Sequence, residues 1–257
     1  SASEDPLNLR CFDQKRRFGL DFMYPLQRYV DGLTLPQLPT YDGVMLPNPL
    51  FVESRRDPSM ISVAAIVGVP WQDIALSSDN LGAGFVPAAD IPWDLLLPDG
   101  PNSAPGDPLM LGSRSPRSGV QPITGEPLAP PSADSPTANG INGHEHLNGT
   151  DLQYSCIYRL PEPEDCTITG CECQDPSTLR PVCQADDGSY GFTQYFGRAT
   201  PPTRMLTFLR ELGPRAALGS HCPELDVSPA QPAYGFKPAA DAVLRLLRRS
   251  LVPFEGQ

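Results

Sequence analysis

Five of the seven cysteines in this chain, Cys156, Cys166, Cys171, Cys173 and Cys183, crowd into one stretch with little apolar periodicity. Such a stretch cannot bury enough apolar surface to hold a shape unaided, and exported domains meet that shortfall with covalent crosslinks. The spacing C-x4-C-x-C-x9-C from Cys166 to Cys183 offers four thiolates to zinc, but structural zinc sites favour C-x2-4-C knuckles and a single gap here qualifies. We therefore read Cys156, Cys166, Cys171, Cys173, Cys183 and Cys222 as disulfide partners, with the pairing left open. Cys11 is left over near the start of the chain, and an odd cysteine in an exported protein points to a partner outside the given sequence.

The rest of the chain alternates between two kinds of sequence. Leu26, Tyr29, Val30 and Leu33 recur at helical spacing after Pro25, which suits a first helical turn. Met60 to Val69 is an almost unbroken apolar run with β-branched residues, the pattern of a strand buried on both faces in a parallel sheet. Met205, Phe208, Leu209 and Leu212 define a helix over Pro201–Gly213 with Thr200 as its cap, and Ala216–Gly219 reads as a strand. Pro238 to Leu251 reads as a helix with Arg245, Arg248 and Arg249 near the end that favours cations. From Trp71 to Gln153, turn signals crowd out periodicity; this is where much of the total of 32 Pro and 22 Gly gathers. Trp71, Ile91, Trp93 and Leu95–Leu97 nevertheless ask for something to pack on. The expected order is residues 1–70 as the first part of an α/β domain, 71–199 as a Pro/Gly- and Cys-rich insertion, and 200–257 as the last part. That predicts a partial Rossmann-like parallel sheet with helices on both faces and a long irregular, disulfide-rich insertion.

Charge and motifs exclude more than they assign. A formal net charge of −11 repels phosphate backbones and anionic headgroups, which argues against nucleic acid and polybasic membrane docking. No run approaches the roughly 20 apolar residues of a transmembrane helix, and Ser1–Asp5 is not a signal peptide. His144, Glu145 and His146 carry metal-ligand chemistry, yet a helical zinc motif needs its second His four residues after the first, where Asn148 stands. With Gly140, Gly143 and Gly149 around them, the three residues read as an exposed polar loop before they read as a site. Asn148-Gly149-Thr150 fits a glycosylation acceptor in a glycosylating host. Glu162, Glu164, Asp165, Asp186 and Asp187 lack the spacing of a calcium loop and read as solvated surface. His221 and Cys222 are adjacent, so on a strand they point to opposite faces, and Cys222 reads as a disulfide partner rather than a nucleophile. Dinucleotide, P-loop and nucleophile-elbow motifs do not occur.

Together, Tyr24–Val30, Ser62–Pro70, Pro201–Gly213 and His221–Cys222 with the last helix resemble the C-terminal half of exported von Willebrand factor A-like proteins from myxobacteria-type bacteria. Ile141–Glu145, Asp151–Cys156 and Thr193–Tyr195 are similar to landmarks of one branch of that family. The resemblance implies a secreted or cell-envelope, non-enzymatic adhesion module that binds a protein or cell-surface ligand. It also implies Mg²⁺ in the complete domain, held by an Asp-x-Ser-x-Ser loop with a later Thr and Asp. The sequences starting at Asp57, Asp175 and Asp226 all lack the second Ser, so no cofactor is expected in this chain, which would begin after the metal-site half of the domain. Two other readings stand beside it: a secreted metal-dependent hydrolase with a site in the insertion around His144, Glu145 and His146, and a structural envelope protein.

Overall fold

A computed structural model describes residues 6–52, 56–100, 103–122, 125–130, 145–147, 150–224 and 228–251. In chain order the helices and strands are α1 (Arg10–Phe18), α2 (Leu26–Thr34), β1 (Gln37–Pro39), β2 (Met45–Pro47), β3 (Val63–Val67), α3 (Trp71–Ile74), α4 (Trp93–Leu96), β4 (Cys156–Asp165), α5 (Cys166–Thr169), β5 (Thr193–Ala199), α6 (Thr203–Leu212), β6 (Ala216–Ser220) and α7 (Lys237–Leu251), joined by short 3-10 turns. The architecture is mixed α/β. Its parallel component is the pair β3–β6, in register from Val63 opposite Ala216 to Val67 opposite Ser220. The His221 N–H extends that ladder by donating to the Val67 carbonyl at 2.8 Å. β1–β2 and β4–β5 are antiparallel.

Local chemistry sets the helix ends. Gly19 closes α1 in the left-handed conformation, its N–H returning to the Lys15 carbonyl. Pro25 precedes α2 as its N-cap residue instead of standing inside the first turn. The helix expected from Pro201 begins two residues later, at Thr203, with Pro202 as N-cap and no side chain capping it. Pro202 disfavours helical backbone at Pro201 before it, so Thr200 lies too early to cap. Gly213, at a positive φ of 58°, ends the helix.

The parallel pair is buried unevenly. Every residue of β6 is buried, but on β3 Ala64 and Ile66 are exposed while Val63, Ala65 and Val67 turn to the core. The two-sided burial expected for the Met60–Val69 run is therefore corrected to one-sided burial. α7 lies mainly over β6, where Gly219 lets the Ala239 side chain within 2.7 Å of the place a Cβ would occupy. Among the described residues no strand pairs with the other edge of β3, and on the face that carries Ala64 and Ile66 the Ile66 side chain keeps 40% of its surface exposed.

Two apolar cores result. The larger holds Leu206, Leu209 and Leu212 of α6 against Leu218, and it takes in Val69, Trp71, Ile74, Leu96 and Met110. The first part of the Pro/Gly-rich stretch thus lines the α/β framework. The smaller core, Tyr154, Ile157, Val182 and Phe196, surrounds the cystines Cys166–Cys171 and Cys173–Cys183. The third cystine, Cys156–Cys222, spans 66 residues and ties the start of β4 to the chain just beyond β6. On chain-entropy grounds a loop of that length gains about 4 kcal/mol from closure, against about 2 kcal/mol for the five-residue separation of Cys166 and Cys171. Around this junction the Ser155 hydroxyl donates to the Gly68 carbonyl at 2.8 Å and the Ser220 hydroxyl to the Val69 carbonyl at 2.6 Å. A Cβ on Gly68 would stand 2.5 Å from the Ala199 Cβ, so the ends of β3 and β5 approach this closely only with glycine there.

Cys11 is the free, exposed cysteine. Alkylation of the native protein is expected to label Cys11 alone, and reduction before alkylation to expose six more thiols, counted by intact mass. A second reactive thiol in the native protein contradicts the pairing.

Candidate functional site

Of the three residues singled out for metal chemistry, Glu145 and His146 are built into the core. His144 lies outside the described residues, as do Asn148 and Gly149 of the glycosylation tripeptide. Glu145 and His146 are 0% and 2% exposed, which corrects the exposed polar loop expected from their glycine-rich surroundings. The Glu145 carboxylate accepts from the Arg117 backbone N–H at 2.6 Å, from its Nε at 2.9 Å and from its Nη2 at 2.6 Å. Arg117 also donates to the carbonyls of Leu109 and Tyr154. A buried guanidinium is tolerated when its planar fork meets a carboxylate and its remaining donors find acceptors, and all of that is met here.

His146 packs on Tyr154 with ring centroids 4.7 Å apart. Its Nε2 lies 3.1 Å from the Leu152 carbonyl, which places the ring proton on Nε2. Burial holds the imidazole pKa below its ordinary value, so the ring is neutral. The Gln153 side-chain amide pairs with the His146 backbone as a strand would, accepting from its N–H and donating to its carbonyl. Among the described residues no group of three His, Cys, Asp or Glu is placed to hold a metal ion. The Asp57 and Asp175 carboxylates cap 3-10 turns through the N–H and hydroxyl of Ser59 and Ser177, and Asp226 lies outside the described residues. The described residues therefore do not fit Mg²⁺.

The remaining candidates also resolve. Glu162, Glu164, Asp165 and Asp187 are exposed; Asp165 caps α5, Asp187 accepts from Ser189, and Asp186 pairs with Arg159. Cys222 is in its cystine, and the His221 ring sits between Tyr158 and Phe236, with centroids 5.5 and 5.4 Å away.

Two features escape any reading of spacing. One is an acid pair, half-buried Asp73 of α3 and buried Asp107. Burial first, then the hydrogen bond and charge of Asp107, raise the Asp73 carboxyl from its ordinary 3.8 to about 8. Burial raises Asp107 as well, while the Leu109 N–H and Arg117 hold its charge. A proton on Asp73, donated to Asp107, accounts for the Oδ2 atoms of both residues, which have no other partner. The other is an apolar groove of about 630 Å³ where α1, α2 and the start of α6 meet, walled by Phe12, Met23, Leu26, Tyr29, Met205 and Phe208, with Arg204 among its lining residues.

No known family model matches this chain, and neither a curated protein nor a solved structure matches it. Three cystines point to an oxidising, extracellular environment, and among the described residues no helix is long and apolar enough to cross a membrane.

Glu145→Gln leaves the Arg117 charge buried without its counterion and is expected to cost about 3–5 kcal/mol of stability, read as a lowered urea midpoint. The acid pair sets a pH slope. Folded Asp73 keeps its proton up to about pH 8, whereas an unfolded aspartate releases it near 3.8, so the folded state binds more protons across that window. The contribution of this pair is full below the lower value and declines as pH rises through the upper one. Asp73→Asn is expected to flatten that decline in urea titrations across the window; an unchanged slope contradicts the shared proton.

Proposed function

We propose that this chain is part of an exported, non-enzymatic binding module of the von Willebrand factor A-like type, facing a protein or cell-surface ligand. The observation that carries this reading is the parallel pair β3–β6, set against α6 and α7, whose β3 edge has no strand beside it among the described residues. A parallel pair is ordinarily the interior of a larger sheet with helices on both faces. An open β3 edge with exposed Ala64 and Ile66 is what remains when neighbouring strands come from elsewhere in the domain. Ligands of such sheets bind at the carboxyl ends of the strands. The three cystines support an exported destination.

In this reading Mg²⁺ is held by residues beyond those given, because none of the described ones fit it, and it would supply an open coordination position for a ligand carboxylate. The hydrolase alternative loses its support at Glu145, whose oxygens are occupied by Arg117. Thermal unfolding of the natural protein, including its upstream sequence, is the test. Magnesium or manganese is expected to raise its melting temperature and to leave residues 1–257 alone unaffected. A full protein indifferent to both ions overturns the adhesion-site reading.

A further inference from the structure

We infer that the groove between α1, α2 and α6 binds a free, single-chain amphiphile with a carboxylate head, of the long-chain fatty-acid class. All residues that carry this inference lie in the given chain, so it stands apart from the metal-site reading.

The groove's volume, about 630 Å³, falls in the range of small-molecule sites, roughly 300–1,000 Å³. Its walls are apolar and open: Met23, Tyr29 and Met205 keep 45%, 47% and 43% of their surface exposed. Contiguous exposed apolar surface of this kind marks a place that something covers. Charge says what covers it. Among the described residues lining the groove, Arg204 alone is charged. Its guanidinium donates to the Tyr24 carbonyl and lies 3.8 Å from an Asp21 oxygen, which engages only part of its five-donor fork.

The surrounding surface has the same sign. Residues 6–34 carry five bases, Arg10, Lys15, Arg16, Arg17 and Arg28, against three acids, Asp13, Asp21 and Asp31, in a chain whose net charge is −11. Lys15 and Arg16 stand three and four positions after Phe12, so they share its helix face beside the groove. Asp13 is buried and paired with Arg114 and Arg16, Asp21 is paired with Lys15 at 3.2 Å, and Asp31 accepts from the Gln27 amide, so two of the three acids are balanced by neighbouring bases and the five bases keep a local excess. An apolar trough with one cation in its lining and a basic rim matches one aliphatic chain ending in one anion. A guanidinium meets a carboxylate through two parallel hydrogen bonds, and the trough covers the chain.

Calorimetric titration of the protein with octanoate, decanoate and dodecanoate below their micellar concentrations tests this, with the matched alcohols as controls. Saturable binding is expected, tightening by about fourfold per added methylene until the groove is filled. Arg204→Gln is expected to weaken dodecanoate binding about tenfold and to leave dodecanol unchanged. Met205→Glu places a like charge on an exposed wall and is expected to abolish carboxylate binding with the fold intact by circular dichroism. Absence of saturable binding overturns the inference, and so does equal affinity for acids and alcohols. Two other occupants are separable outcomes that overturn it. A dimer in light scattering that Met205→Glu dissociates would assign the groove to a second copy. Co-sedimentation with anionic vesicles in the absence of monomer binding would assign it to a membrane surface.

Discussion

One guanidinium holds together three stretches of chain that share no secondary structure. Arg117 lies in the Pro/Gly-rich region, and its hydrogen bonds reach Leu109 before it, Glu145 after it and Tyr154 at the approach to β4. A region this poor in helices and strands leaves many backbone carbonyls without ladder partners, and a buried arginine can satisfy several at once. The carboxylate makes this tolerable, because without it a charge would sit in a nearly dry site. Asp107 also feels the Arg117 charge, which links the acid pair electrostatically to the same hub.

A second constraint joins this region to the parallel strands. Cys156–Cys222, the hydroxyls of Ser155 and Ser220 and the missing side chain of Gly68 all act where the ends of β3, β5 and β6 come together. The two apolar cores are thereby clamped at one place. The local cystines serve the smaller core alone, where Val182, Ile157 and Phe196 provide little apolar mass without them.

Charge is distributed less evenly than its sum conveys. Several acids cap local turns and helix starts: Asp57, Asp165, Asp175 and Asp187 hold their pKa below the ordinary value through serine, threonine and backbone donors. The first helices carry a local excess of bases beside exposed Phe18, Leu20 and Phe22. A net charge describes long-range repulsion, which is screened beyond about 8–10 Å at physiological salt, and says little about a groove that a ligand touches.

Short-range patterns were legible without coordinates. Helical spacing located α2, α6 and α7, β-branched runs located β3, and cysteine crowding identified five of the six disulfide partners, because each depends on neighbours a few residues apart; Cys222, 66 residues from its partner, was read from its place after a strand. The boundaries shifted where prolines overrode the pattern, as at Pro201–Pro202 before α6. What failed was inference about burial from composition. Glycines around Glu145 and His146 implied a wet loop, yet an arginine 28 positions away pulls Glu145 into the core. By itself the sequence determined the α/β alternation and the identity of the cross-linked cysteines. Tertiary structure alone decided which cysteines pair, which carboxylates lose water and where the apolar groove opens. Those outcomes depend on distances between residues far apart in the chain, and no local periodicity encodes them.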